Sequence, residues 1–314
     1  MIIISEKEQV NRHDEGYKSL FSMKENFLHF LKKYIGVSWA DNISVDDMEK
    51  IDKSFITPEF KHIDSDIIYK LRFNNSDVYF YALLELQSSV DYTMPFRLLR
   101  YMVELLTDIF KNTDENERKR KNFKLPAIVP IILYNGTDSW NAVRQYKKYT
   151  ENYNNFGNNI INFEYLLFDL NRKDKNFIKS TRKLVDLMFL LDGLRGEDTD
   201  YTQVPKLIAE YKNDLTGTDK TVLFGWVKHI LIKGDMSPDL EEEFKQAFTE
   251  GDESTMTHAI ERMRDDWLDK GIQTGRQEEK TELARRLLKR NRPIEEIIED
   301  TGLSRREVES LQSH

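Results

Sequence analysis

From Asp14 onward apolar residues recur at intervals of three and four. Tyr17, Leu20, Phe21, Phe27, Leu28, Leu31 and Tyr34 form one stripe, and the spacing predicts a helix closed by Gly36. A polar connection follows, with a short helical piece expected around Val45 to Ile51. The period then falls to two. The runs SDIIYKLRF (65–73) and VYFYALLELQ (78–87) flank Asn74, Asn75, Ser76 and Asp77, a turn-forming set, and together they predict a β-hairpin. Pro95 stands where a first helical turn begins, and Phe96, Leu99, Val103, Leu106 and Phe110 give the amphipathic helix after it. PAIVPIILYNG (126–136) reads as a buried strand in which Pro130 implies a sheet edge or a bulge. INFEYLLFDL (161–170) is a further strand and KSTRKLVDLMFLLDGL (179–194) a helix.

This order predicts a mixed α/β domain over residues 1–195, with a boundary in Gly196 to Thr202. From Gln203 the periodicity is helical almost throughout, giving a helical extension over 196–265 and a helical tail over 266–314. Asp252 to Arg290 forms one long helix or two, with Gly271 and Gly275 as weak points. The end, RPIEEIIEDTGLSRREVESLQ, resembles a helix-turn-helix, with Pro293 at a helix start, Gly302 after the first helix and Ser304 capping the second.

Composition narrows the classes. At 314 residues and 39% hydrophobic the chain can bury a substantial core, and its 55 acids against 47 bases leave a net charge of −8. Any attraction to nucleic acid must therefore be local. The opening MIIISEKEQ is too short for a signal-peptide core and no apolar run reaches membrane-span length, so a cytoplasmic protein without membrane attachment is expected. The absence of cysteine removes disulfides and thiolate metal sites.

The hairpin carries the candidate chemistry. A turn centred between Asn75 and Ser76 sets Phe73 opposite Val78, Leu71 opposite Phe80, Tyr69 opposite Ala82 and Ile67 opposite Leu84. The other face then pairs Arg72 with Tyr79, Lys70 with Tyr81, Ile68 with Leu83 and Asp66 with Glu85. Opposed residues have Cβ atoms about 4.5–5.5 Å apart, and like charges there are destabilising unless something compensates. A hard divalent cation such as Mg²⁺, with oxygen ligands and retained waters, would do so. Gln87 shares the side of Glu85 and could orient a water or a phosphate. The competing reading is that Asp66 caps the strand start and Glu85 marks a solvated strand end.

Five segments in order, HDEGYKSLFS, SDIIYKL, LLELQSS, MPFRLLRYMVELL and LPAIVPIILYNG, resemble the recombination-promoting nuclease (Rpn) family of the PD-(D/E)XK nuclease superfamily. The resemblance covers the first half to two thirds of the chain. It implies a restriction-endonuclease-like mixed sheet flanked by helices, and metal-dependent endonucleolytic cleavage of DNA in recombination, transposition or phage defence. Carried over by position, it makes Asp66 and Glu85 the metal-binding acids, with Mg²⁺ or Mn²⁺ also held by the Leu86 carbonyl. Gln87 stands where the superfamily more often has lysine, and Asp14, or less readily Glu15, takes the place of a first-helix residue facing the site. The family usually has histidine where this chain has Leu86, which removes any role for that side chain but not for its carbonyl. An amide supplies only a dipole where lysine supplies a charge, so Arg97 is a candidate for the missing cation; a surface or phosphate-contacting arginine is the equal alternative.

Other clusters remain open. Arg118 to Lys124 (RKRKNFK) contacts phosphates or forms a solvated loop, and Ala284 to Arg292 (ARRLLKRNR) has leucines at helical spacing that suit a partner-binding helix. His13 reads as a local hydrogen-bonding residue, and Tyr134, Asn135, Gly136 and Trp140 as a strand end with a packed turn. The C-terminal helices are expected to mediate homo-oligomerisation. Met256 and Met263 would permit a separately started small protein regulator. The alternative function is a catalytically silent nuclease-like protein that binds DNA or assembles through its helix-turn-helix.

Overall fold

The computed structural model describes residues 15–51, 67–73, 76–194, 203–228, 238–249 and 253–312. The chain divides into two compact units, Val10–Trp226 and one comprising Val227–His314. The expected linker over 196–202, together with Asp14, Asp66 and His13, lies outside the described residues.

The first unit begins with α1 (residues 15–22) and α2 (Lys24–His29), which runs on through a wider-pitched turn, Phe30–Ile35. All seven residues of the expected stripe are buried. The helix is not continuous, because Met23 adopts an extended conformation between the two segments. Gly36 closes it with φ +65, a left-handed angle that suits glycine.

A five-stranded sheet follows: β1 (Met48–Lys50), β2 (Ile67–Phe73), β3 (Ser76–Gln87), β4 (Ala127–Tyr134) and β5 (Leu166–Asp169), in that spatial order. The first three strands are antiparallel, whereas β3, β4 and β5 run parallel. The helical piece expected around Val45 to Ile51 is mostly strand. After a single 3₁₀ turn, Val45–Asp47, Met48 to Lys50 pair with Leu71 to Tyr69 and form the sheet edge. Ladder hydrogen bonds to a neighbour outweigh a weak local preference.

The β2–β3 register matches the expected one at six positions, from Ile67 opposite Leu84 to Arg72 opposite Tyr79. It shifts between Arg72 and Phe73, so Phe73 pairs with Ser76 rather than Val78. Such an irregularity absorbs the tight return without moving the rest of the ladder. Pro130 pairs with Leu83 on one side, and the ladder to β5 starts one residue later at Ile131, so proline's missing N–H falls where β4 has one neighbour.

Helix α3 (Met94–Asn112) makes the crossover from β3 to β4, with Pro95 in its first turn. It packs on one sheet face through Met94, Leu98, Tyr101 and Leu105 against Ile68, Ile132 and Tyr134. The stripe expected to make it amphipathic is a different one, and it is largely exposed: Phe96, Val103 and Phe110 are 48%, 51% and 42% accessible. The short α4 (Glu115–Arg118) precedes β4. After β5 come α5 (Lys175–Lys179) and α6 (Leu184–Asp192). On the opposite sheet face an aromatic cluster joins α2, its extension, β5 and α6. Phe27 stacks on Tyr69 at 4.5 Å, Phe30 meets Phe168 edge-on at 5.5 Å, and Phe168 stacks on Phe189 at 5.3 Å. Both faces of the sheet are thus covered, the arrangement expected where parallel strands are present. Helices α7 (Gln203–Tyr211) and α8 (Gly217–Trp226) complete this unit.

The second unit contains α9 (Pro238–Thr249) and α10 (Glu253–Lys289), a single helix of 37 residues through Gly271 and Gly275. Then come α11 (Ile294–Thr301) and α12 (Arg305–Gln312). Gly302 ends α11 with φ +68, donating its N–H to Ile298 O at 2.8 Å. Ser304 and Glu307 form the reciprocal cap that starts α12. Ala284, Ile297, Leu303 and Val308 make a small core here, flanked by Leu287 and Leu288. The leucines of the ARRLLKRNR segment are therefore engaged within the tail itself.

Candidate functional site

The central strand β3 ends at Gln87, paired with Tyr134, and Glu85 pairs with Ile132 in the parallel ladder to β4. Glu85 is placed by its backbone, while its side chain lies outside the described residues, as do all of Asp66 and Asp14. Leu86 is buried at 4% exposure and Gln87 is half-buried. Ile132 and Tyr134, the ladder partners of positions 85 and 87, belong to the core beneath α3. Among the described residues no group of three or more His, Cys, Asp or Glu side chains is arranged to hold a metal ion.

Several residues hold the end of β3 against that of β4. Asn135 donates its N–H to the Gln87 carbonyl at 3.0 Å and its side-chain amide to Asp192 Oδ2 at 3.1 Å. The Asn171 amide donates to the carbonyls of Asn135 and Gly136, both at 2.9 Å. Gly136 has no room for a side chain, since a Cβ there would lie 2.4 Å from Ser88 O and 2.4 Å from Tyr134 Oη. Trp140 packs edge-on against Tyr134 at 5.0 Å and donates its indole N–H to Tyr165 Oη at 2.9 Å. The turn after β4 is thus a clamp on the strand ends, and the sequence signal for it was the YNG triplet.

Arg97, one turn into α3, donates to Asp91 Oδ2 at 2.7 Å and to Tyr101 Oη from Nε at 3.3 Å and from Nη2 at 3.1 Å. Burial would raise the Asp91 carboxyl, but hydrogen bonds from Thr93 and Arg97 outweigh it and hold it below the usual aspartate range. The guanidinium is therefore positioned by a carboxylate that sequence reasoning had not singled out. At the end of β5, opposite Tyr134, Asp169 behaves in the opposite way. Burial pushes its carboxyl up despite nearby Arg172 and two backbone N–H donors. No spacing rule would have found it, because its partners come from distant segments.

The basic loop is only partly open. Arg118 lies over the Phe110 ring at 4.8 Å and Lys119 pairs with Glu115 at 2.6 Å, whereas Arg120, Lys121 and Lys124 are exposed. In the tail, Arg305 pairs with Glu295 at 2.6 Å and Glu309 at 3.7 Å, and Arg306 is exposed.

A family model described as "Putative transposase, YhgA-like" matches residues 11–221, which span the sheet and its covering helices. The chain belongs to that family. Among its curated relatives, the recombination-promoting nuclease RpnD of Escherichia coli O157:H7 is 25% identical over 127 residues, 40% of this chain and 46% of RpnD. RpnA of E. coli strain K12, also named a recombination-promoting nuclease, is 22% identical over 317 residues, 97% of this chain and 98% of RpnA. RpnE of the same strain, 24% identical over 127 residues and covering 40% of each chain, is named an inactive recombination-promoting nuclease-like protein. The alignment with RpnD or RpnE thus spans less than half of either relative. No solved structure matches the chain. No helix among the described residues is long and apolar enough to cross a membrane.

Proposed function

We propose that this member of the YhgA-like family is a cytoplasmic, metal-dependent DNA endonuclease with a restriction-endonuclease-like first unit. The observation that carries the reading is the β2–β3 register. Six consecutive pairs run from Arg72 opposite Tyr79 to Ile67 opposite Leu84, and the next step of the same ladder would set Asp66 against Glu85. Two carboxylates and the Leu86 carbonyl form an all-oxygen donor set of the kind Mg²⁺ or Mn²⁺ accepts. The mixed sheet covered by helices on both faces, and relatives named as nucleases, support the same reading.

When bound there, the cation would acidify a water, polarise the phosphoryl oxygen and stabilise the leaving oxygen. The chain's own residues do the rest. Gln87 offers an amide to orient water or phosphate, held by the bond from Asn135 to its carbonyl. Arg97 supplies a fixed positive charge on the helix that follows, moderated by Asp91. Exposed Arg120, Lys121 and Lys124 contact the phosphate backbone of DNA.

The inactive relative RpnE motivates the second reading, a catalytically silent DNA-binding or assembly protein. The last helix favours assembly or substrate positioning over base reading, because Arg305 is engaged by Glu295 and Glu309 and further acids flank Arg306. Plasmid nicking by the full chain, with Mg²⁺ and with chelator, separates the readings. Nicking that survives chelation sinks metal dependence. Duplex binding without nicking across many metals and buffers favours the silent protein.

A further inference from the structure

Helix α3 carries two apolar stripes, and its sheet-facing one accounts for only half of its apolar residues. The second, Phe96, Leu99, Val103, Leu106 and Phe110, alternates intervals of three and four, which is the seam spacing of a coiled coil. Val103, Phe96 and Phe110 are 51%, 48% and 42% exposed, and Leu99 and Leu106 are half-buried. From Phe96 to Phe110 the row runs about 21 Å along the helix at ~1.5 Å per residue. A continuous apolar row of this kind on a surface helix marks an interface.

Charge along the neighbouring edge selects the occupant. Arg97 and Arg100 come before Val103, and Glu104 and Asp108 come after it. Within the helix Arg100 and Glu104 are only loosely joined, at 3.7 Å. A helix whose first half is cationic and whose second half is acidic on the same edge is complementary to itself when reversed. Parallel alignment would set like charges together.

We infer that α3 pairs antiparallel with α3 of a second copy of this chain, about a twofold axis at Val103. The symmetry fixes the contacts: Val103 meets its own counterpart, Leu99 meets Leu106 of the partner subunit, and Phe96 meets Phe110 of the partner subunit. Arg100 then lies beside Glu104 and Asp108 of the partner subunit. This interface is separate from the C-terminal helices, where oligomerisation was expected from sequence.

The chain has no cysteine, so each introduced thiol reports on one position. In the full-length protein under mild oxidation, Val103→Cys becomes a disulfide-linked dimer and Phe96→Cys does not, because only position 103 lies on the axis. Combining Phe96→Cys with Phe110→Cys restores linkage. Light scattering gives twice the 37.3 kDa chain mass for the wild type and the single-chain mass for Val103→Glu, whose exposed site keeps the fold and an unchanged thermal melt. A wild type at single-chain mass, with the stripe covered by other parts of the chain or by a different partner, overturns the inference. So does a Val103→Glu protein that stays dimeric, or linkage through Phe96→Cys as fast as through Val103→Cys.

Discussion

Replacing Asp186 by asparagine removes the charge around which the α2–α6 contact is built. The carboxylate is fully buried and accepts from five donors: His29 Nε2 at 3.0 Å, Lys33 Nζ at 3.1 Å, Tyr34 Oη at 2.5 Å, Thr181 Oγ1 at 2.7 Å and the Lys183 N–H at 2.9 Å. Burial alone would raise its protonation constant, but hydrogen bonds from His29, Lys183, Tyr34 and Thr181 overcome that and hold the carboxyl far below the usual aspartate range. The Lys33 side chain is itself only 8% exposed, so without its carboxylate a buried ammonium loses its counter-charge. Breaking one side of such a pair costs about 3–5 kcal/mol. For a unit of this size that is a fall in Tm of roughly 6–20 °C, at about 2–4 °C per kcal/mol. Urea unfolding followed by circular dichroism measures it directly.

The pH dependence gives a second signature. A carboxylate whose folded constant is depressed contributes its stability above the unfolded value, about pH 3.9, and loses it as pH falls toward the folded one. The gap between wild type and Asp186→Asn should therefore be full at pH 7 and shrink below about pH 4. Lys33→Met should cost less in the Asp186→Asn background than in the wild type, since the charge it leaves unpaired is already gone. An Asp186→Asn protein within about 0.5 kcal/mol of wild type at pH 7 would refute the reasoning, because surface substitutions commonly stay inside that range.

Two further substitutions test the backbone claims. Gly136→Ala forces a Cβ against Ser88 O and Tyr134 Oη and should destabilise the first unit by about 1–3 kcal/mol in chemical denaturation, whereas the same change at Gly225, where a Cβ meets nothing within 4 Å, should be tolerated. Gly302→Ala places an L-residue at φ +68 and should cost about 1–2 kcal/mol, read as faster amide exchange in residues 294–312. At the candidate site, Gln87→Lys restores the cation usual in the superfamily and should raise the nicking rate at limiting Mg²⁺; an unchanged rate would mean that position 87 lies away from the reacting phosphate.

Much of the first unit was legible because burial and period coincide there. The Tyr17 to Tyr34 stripe is buried at all its named positions, and the two-residue alternation on β2 and β3 fixed the register at six pairs. Misreadings occurred where a segment had two plausible partners. Met48 to Lys50 has acids that suit a helix start, yet it borders an unpaired edge of β2 and joins the sheet. On α3 two apolar stripes compete; the spacing was strongest for Phe96 to Phe110, but Met94, Leu98, Tyr101 and Leu105 are the ones facing the sheet. Long-range polar pairs such as Asn135 with Asp192, and Asp91 with Arg97 as a positioned couple, have no periodic signature and needed coordinates. Asp66 and Glu85 were reached through register alone.

The account stands most directly on the cleavage rate of supercoiled plasmid by the full chain in Mg²⁺, under enzyme excess, for the wild type beside Asp66→Asn and Glu85→Gln. These changes keep size and hydrogen-bonding capacity while removing the charges proposed to hold the cation. Each should lower the rate at least on the order of 10²-fold, toward the level seen with chelator, as losing several kcal/mol of charge stabilisation requires. Wild-type rates in both variants would contradict the paired-carboxylate site.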